Sequence, residues 1–189
     1  ASLYLNQLIY NMAMIPLIIS IVTGFNLLAV ANSNGILLPY SSTENEIKTL
    51  RKHLKTKVKR CESFKTLGNL VLANDHGALI SPLLTSTEAK NVKDTLNVDV
   101  AVGYLAESPL VGSFAVATNK GVIVHPKATK DEQKLASDIL KMPVTIGTIN
   151  NGLLFIRSGL TVNSFGALAG TLTTGPELMV ISSLVSMTE

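Results

Sequence analysis

Four glycines set the ruler for this chain: Gly35, Gly77, Gly121 and Gly166, standing 42, 44 and 45 residues apart. Turn-forming residues precede each one: Asn32-Ser33-Asn34, Asn74-Asp75-His76, Thr118-Asn119-Lys120 and Asn163-Ser164-Phe165. Asn and Asp tolerate left-handed backbone and glycine adopts it freely, so each cluster predicts a hairpin turn between two apolar runs. Eight residues after each glycine comes a threonine: Thr43, Thr85, Thr129 and Thr174. Eleven after each comes a glutamate: Glu46, Glu88, Glu132 and Glu177. Thr-x-x-Glu is a capping box, in which the two side chains satisfy free N–H groups at both ends of a helix's first turn. Four boxes in one register fix a repeat.

Each box opens an amphipathic pattern. Ile47, Leu50 and Leu54, then Ala89, Val92 and Leu96, then Leu178, Ile181 and Val185 follow the i, i+3, i+7 spacing of one helix face. The third unit places Gln133 at the first position, but Ala136 and Leu140 hold the stripe. Val58, Val100 and Val144 then begin a third strand. The unit is strand, turn, strand, helix, short strand. Such units bury their apolar faces on one another, so the expected fold is an α/β ring or fan with sheets inside and helices outside. The repeats run approximately 1–16 (partial), 17–60, 61–102, 103–146 and 147–189, all within one propeller domain. Leu5, Leu8 and Met12 continue the stripe backwards, and Ile15 to Ile21 would be strand, so the first repeat is incomplete. A closed ring would need further residues or a partner at the gap, because open strand edges invite pairing.

Composition fits this reading. Of 189 residues, 47% are hydrophobic and only 5% aromatic, as suits sheets of small branched side chains. A net charge of +3 permits a nucleic-acid-rich partner without requiring one. The single Cys61 excludes an internal disulfide and a cysteine-rich metal site, and points to a reducing compartment. No charged residue precedes Glu44, and Leu8 to Ala31 is long enough to span a bilayer. A signal peptide lacks its positive start here. Asn11, Pro16, Gly24, Asn26 and Asn32 interrupt the run, so a membrane span is the weaker expectation.

Particular segments are similar to a known family. Leu67-Gly68-Asn69, Asn74-Asp75, Leu110-Val111-Gly112-Ser113, Thr118-Asn119-Lys120-Gly121, Val124-His125-Pro126-Lys127, Gly147-Thr148-Ile149-Asn150 and Thr173-Thr174-Gly175-Pro176-Glu177-Leu178 resemble the translation initiation factor 6 family, ribosome anti-association factors of archaea and eukaryotes. The likeness runs from about Ile19 to Val185. His125-Pro126-Lys127 with Asp131, Glu132 and Gln133 points to the eukaryotic branch, while Asn34 to Pro39 and Thr174 to Glu177 occur on the archaeal side too. The resemblance implies a pentein, a pseudo-fivefold α/β propeller of ββα-type repeats. It implies binding to the joining face of the large ribosomal subunit, chiefly to ribosomal protein L14 (called L23 in yeast) near the sarcin–ricin loop. It implies steric blocking of small-subunit joining and a part in large-subunit biogenesis. Release by a GTPase with the Shwachman–Diamond protein follows from the same likeness. The implied location is cytoplasmic, with nucleus and nucleolus if the source is eukaryotic, and the implied state is a monomer without cofactor.

The family's docking face maps here onto Asn26, Leu67, Gly68, Asn69, Gly112, Ser113, Phe155, Ile156 and Arg157. Asn69 stands out as a polar residue behind a glycine at the end of an apolar strand, though Gly68 and Asn69 also read simply as a turn. Arg157 is the only charge between Lys141 and Glu177. It reads either as a solvated strand end or as a partner ion pair or phosphate contact. The densest basic run comprises Lys48, Arg51, Lys52, Lys55, Lys57, Lys59 and Arg60. It reads as a solvated face or, through Lys52, Lys55, Lys59 and Arg60, as a contact to rRNA backbone.

Enzyme chemistry has little to work with. His53, His76 and His125 do not cluster in sequence, so no metal site is expected. Some pentein folds host guanidine-modifying enzymes with a Cys nucleophile. Cys61 is the only candidate here, with His125 and Asp75 as conceivable partners. A shared fold does not carry a shared function, and a non-catalytic repeat scaffold is the other alternative.

Overall fold

The computed structural model describes residues 28–54, 56–63 and 66–185. Four small sheets follow one another. The first contains β1 (Val30–Ala31), β2 (Gly35–Leu38) and β3 (Lys57–Arg60); the second β4 (Val71–Ala73), β5 (Gly77–Ile80) and β6 (Asp99–Val102). The third contains β7 (Ala115–Ala117), β8 (Val122–Val124) and β9 (Val144–Ile146). The fourth pairs β10 (Leu160–Asn163) with β11 (Gly166–Ala169). In every sheet the first two strands form an antiparallel hairpin. In the first three sheets a third strand then pairs in parallel with the second, as Gly77 with Asp99 and Ile80 with Val102.

A helix links the second strand to the third, as a parallel crossover requires. The long helices are α1 (Glu44–His53), α3 (Ser86–Leu96), α4 (Lys130–Leu140) and α6 (Gly175–Ser182). All four begin with the expected capping box, from Thr43–Glu46 to Thr174–Glu177. Two further helices among the described residues, α2 (Leu67–Leu70) and α5 (Ile156–Gly159), are single turns at the entry to β4 and β10. Here the structure departs from the expected strand: the apolar run Leu67 to Ala73 is a helical turn followed by three residues of strand.

Three of the four core clusters among the described residues lie between units; the fourth joins Ile47 of α1 to Leu38 and Val58 of its own sheet. Val92 and Leu96 of α3 pack with Val30 and Leu37 of the first sheet; Ala136 and Leu140 of α4 pack with Leu72 and Leu79 of the second. Ile181 of α6 packs with Val116 and Ile123 of the third. α3, α4 and α6 therefore each cover the sheet of the preceding unit. The first strands stand side by side, β1 by β4, β4 by β7 and β7 by β10.

This packing corrects the reason given above for the turn glycines. None of the four has positive φ. A Cβ at Gly35 would strike the carbonyl oxygen of Thr95, and one at Gly77 that of Ile139. At these two positions glycine is needed because the next unit's helix ends against the turn, whereas a Cβ at Gly121 would make only ordinary contact and one at Gly166 would meet open space. The turns are also stitched together. The Asn32 side chain donates to Asn74 O at 3.1 Å and to Leu96 O at 2.8 Å. Asn74 repeats this to Thr118 O at 3.1 Å and Leu140 O at 2.9 Å, and Thr118 Oγ1 donates to Leu184 O at 2.7 Å. Asp75 accepts from Ser33 Oγ and from Asn119 Nδ2, each at 2.6 Å.

Candidate functional site

Strand direction sorts the loops onto two ends. The hairpin turns occupy one end and are polar apart from the exposed Phe165 in the fourth. At the other end lie α2, α5, the segment Val111–Phe114, and the loops leaving the second and third strands. Tyr40, Leu83, Tyr104, Leu153, Phe155 and Leu172 stand exposed among these loops. Exposed apolar side chains gathered at one end mark a contact surface more than scattered ones do.

The residues singled out in the sequence converge at this second end. Asn26 lies outside the described residues. Leu67 and Ile156 are fully buried and anchor their turns. Gly68 and Gly112 are buried, and a Cβ at Gly112 would collide with the Gly68 carbonyl oxygen. The backbones are joined: Gly112 N donates to Asn69 O at 3.0 Å, and Arg157 N donates to Ser113 O at 3.3 Å. These two bonds are equivalent, each linking one unit to the unit before it. Ser113 is buried, whereas Phe155 is 42% exposed. The Phe155 ring tilts at 59° onto Phe114, 5.2 Å between centroids, and Phe114 meets the edge of His125 at 6.0 Å. His125 Nδ1 accepts the Lys127 N–H at 3.2 Å. Burial, then the Lys127 charge, push its pKa down, so it is neutral at pH 7.

Arg157 is neither a simple solvated strand end nor only an outward-facing charge. Its Nη1 donates to Gly68 O at 2.8 Å, reaching past the third unit to the second. Burial lowers its pKa to about 10, and the guanidinium stays charged at neutral pH. Asn69 is half-buried, and its Oδ1 is buried with no hydrogen-bond partner among the described residues.

Sequence reasoning missed a second task of the capping glutamates. Glu132 accepts from the N–H groups of Ala106 and Glu107, both at 3.1 Å, where φ is 53° and 60°. Glu177 accepts from Thr148 Oγ1 at 2.7 Å, Gly152 N at 2.9 Å and Asn151 N at 3.1 Å. Each therefore clamps the left-handed loop that leads to the candidate end. The available signal was a pair of residues 25 or 26 positions upstream of each glutamate, which local periodicity does not reveal.

The basic run is partly occupied with holding the fold. Arg60 Nη1 lies 3.0 Å from Glu44 and donates to Ser42 O; Arg51 donates to Val58 O at 2.9 Å. Lys59 Nζ donates to Asn91 Oδ1 at 2.6 Å. Lys52 is exposed, and Lys55 lies outside the described residues. The enzyme alternative loses its geometry. Cys61 is buried, Asp75 sits at the turn end, and His125 follows β8 at the opposite end. No group of three His, Cys, Asp or Glu that could hold a metal occurs among the described residues. No helix among them is long and apolar enough to cross a membrane; most of the Leu8–Ala31 run lies outside them.

The eIF-6 family model matches residues 6–184. The chain belongs to the eIF-6 family. Translation initiation factor 6 of Nitrosopumilus maritimus is 49% identical over 156 residues, covering 82% of this chain and 71% of the relative. That of Saccharolobus solfataricus is 46% identical over 153 residues, covering 79% and 69%. That of Pyrobaculum arsenaticum is 41% identical over 157 residues, covering 82% and 71%. These relatives are archaeal, whereas the His125-Pro126-Lys127 motif had suggested the eukaryotic branch. The eIF-6 family is one of non-enzymatic translation factors, in agreement with the scattered Cys61, His125 and Asp75.

Proposed function

We propose that this chain is a ribosome anti-association factor that docks through the end carrying Gly68-Asn69, Gly112-Ser113 and Phe155–Arg157. The partner is the joining face of the large ribosomal subunit, chiefly ribosomal protein L14 near the sarcin–ricin loop. Occupying that face blocks the small subunit by bulk, without chemistry. One observation carries the reading: three successive units deliver these loops to a single end and bond them backbone to backbone, amid exposed apolar side chains. A rigid platform with an aromatic anchor suits a protein partner, because binding energy concentrates in a few buried contacts. Participation in large-subunit biogenesis, release by a GTPase with the Shwachman–Diamond protein, and a cytoplasmic or nucleolar location belong to the same proposal.

The fold proposal is a pentein ring closed by a fifth unit. Leu168 is 51% exposed, whereas its equivalents Leu37, Leu79 and Ile123, each two residues past a turn glycine, are covered by the helix of the next unit. The stripe Leu5, Leu8 and Met12 supplies a sequence for such a helix.

Cosedimentation with isolated large subunits, followed by a subunit-joining assay, tests the function. Asn69→Ala and Phe155→Glu should each weaken binding by roughly tenfold, the scale of losing one central contact. If both variants cosediment at wild-type levels, the docking end is wrong. If the wild-type chain binds no large subunit, the function is wrong.

A further inference from the structure

The turn α2 is too short to hold itself. A single helical turn fixes several dihedrals for one internal bond, here Val71 N to Leu67 O, and Thr66 offers it no side-chain cap. Its last carbonyls have no partner inside the helix, as at every helix C-terminus. Three separate segments supply them. Leu70 O accepts from Ser81 N at 2.8 Å, Asn69 O from Gly112 N at 3.0 Å, and Gly68 O from Arg157 Nη1 at 2.8 Å. The third donor is the only side chain of the three, and it is a cation, the charge a helix C-terminus favours.

The repeat shows why that side chain fits. Counting nine residues back from the turn glycine places Gly68, Gly112 and Arg157 at equivalent positions in three successive units. Their main chains follow one rule, since Gly112 N and Arg157 N bond the preceding unit alike. Their side chains do not. Gly68 and Gly112 carry no side chain, whereas Arg157 carries a long cationic one. A side chain at Gly112 would occupy the place beside Gly68 O toward which the guanidinium reaches.

We infer that Arg157 is a positioning residue: its guanidinium straps the fourth unit to the second and fixes the pose in which α2 presents Asn69 for docking. This rests on the docking end proposed above. The role differs from a direct partner contact, because the effect passes through Gly68 O.

The test compares Arg157→Ala, Arg157→Met and Arg157→Lys with wild type in the full chain. Amide hydrogen exchange is read in the free protein at Gly68 to Leu70 and at β5 and β8 as internal controls, and affinity is read by cosedimentation with large subunits. Loss of a charge-assisted bond should speed exchange at Gly68 to Leu70 by roughly tenfold or more, while β5 and β8 keep their protection. Binding should weaken in step. Met, which keeps the length but not the donor, should behave like Ala; Lys, which keeps one donor, should recover both readouts in part. Unchanged exchange in Arg157→Ala overturns the strap. Faster exchange with wild-type binding overturns the positioning role. Weakened binding with unchanged exchange makes Arg157 a direct contact and likewise overturns it. Phe155→Glu and Asn69→Ala report separately on the docking end, so that failure is not confused with this one.

Discussion

Glu177→Gln should unfasten the loop that carries Phe155 and Arg157. In the folded chain one carboxylate completes the capping box with Thr174 and accepts from Thr148 Oγ1, Asn151 N and Gly152 N. Burial alone would raise its pKa; the bonds from Thr174, Thr148 and Gly152 overcome this and bring it from 4.5 down to about 2. A depressed carboxylate stabilises the fold at pH values above its unfolded pKa, and this contribution is lost as pH falls from about 4.5 towards 2. Converted directly, the shift is worth about 3 kcal/mol, and solvent screening near the surface reduces it to about 1–2 kcal/mol. Glutamine keeps one acceptor oxygen and turns an amide towards N–H donors. Leaving one or two of those donors unpaired costs about 1–3 kcal/mol. The variant should thus lose about 2 kcal/mol at pH 7, seen as a fall of about 4–8 °C in melting temperature. Urea unfolding of both proteins between pH 7 and pH 2.5 checks the origin of the loss. The gap should narrow as acid protonates the wild-type carboxylate. A gap that stays constant with pH, or no gap at pH 7, refutes the clamp.

Gly77→Ala should lower stability by about 1–3 kcal/mol or more, because its new methyl meets the main chain of Ile139. Gly166→Ala, at the equivalent position with open space around it, should stay within about 0.5 kcal/mol of wild type in the same thermal melts. Asp75→Asn should weaken the turn-end stitching. Burial pushes the Asp75 carboxyl up, but bonds from Ser33 and Asn119 and the charge of His76 hold it below 3.8. Its contribution is therefore present at neutral pH and lost in acid, so wild type and Asp75→Asn should differ in melting temperature at pH 7 and converge below pH 3.8. Lys52→Glu should leave stability within about 0.5 kcal/mol. If Lys52 meets rRNA, that variant should also flatten the salt dependence of cosedimentation by about one phosphate contact.

Much of the fold could be read because it repeats. Four capping boxes and the third strands beginning near Val58, Val100 and Val144 are local patterns and took the expected form; of the helix stripes, the fourth failed in part, because Leu178 is 49% exposed and Val185 lies beyond the end of α6. The entries to β4 and β10 were not legible. A run such as Leu67-Gly68-Asn69-Leu70-Val71-Leu72-Ala73 is too short for periodicity to separate helix from strand. Its helical turn is imposed by donors from Ser81, Gly112 and Arg157, none of them local. Gly35 and Gly77 illustrate a right expectation with the wrong cause: backbone freedom was the local reason, while the structure required room for a helix one unit ahead.

The candidate site shows the same limit more sharply. Residue identities that looked like family markers are explained by contacts 43 to 89 residues away, from the Gly112–Asn69 bond to the Arg157–Gly68 bond. A repeat nevertheless makes such contacts partly predictable, because the partner of a residue in one unit suggests the partner of its equivalent in the next. Asn32 to Asn74 foretells Asn74 to Thr118. The rule breaks at Gly68, Gly112 and Arg157, where the backbone obeys the repeat and the side chain does not. Local choices normally agree with the global fold, and departures gather where function asks for something else. A lone arginine replacing the third glycine of such a set is therefore more informative than any of the glycines. It is the one position of the three where a side chain is seen to bond a unit two removed.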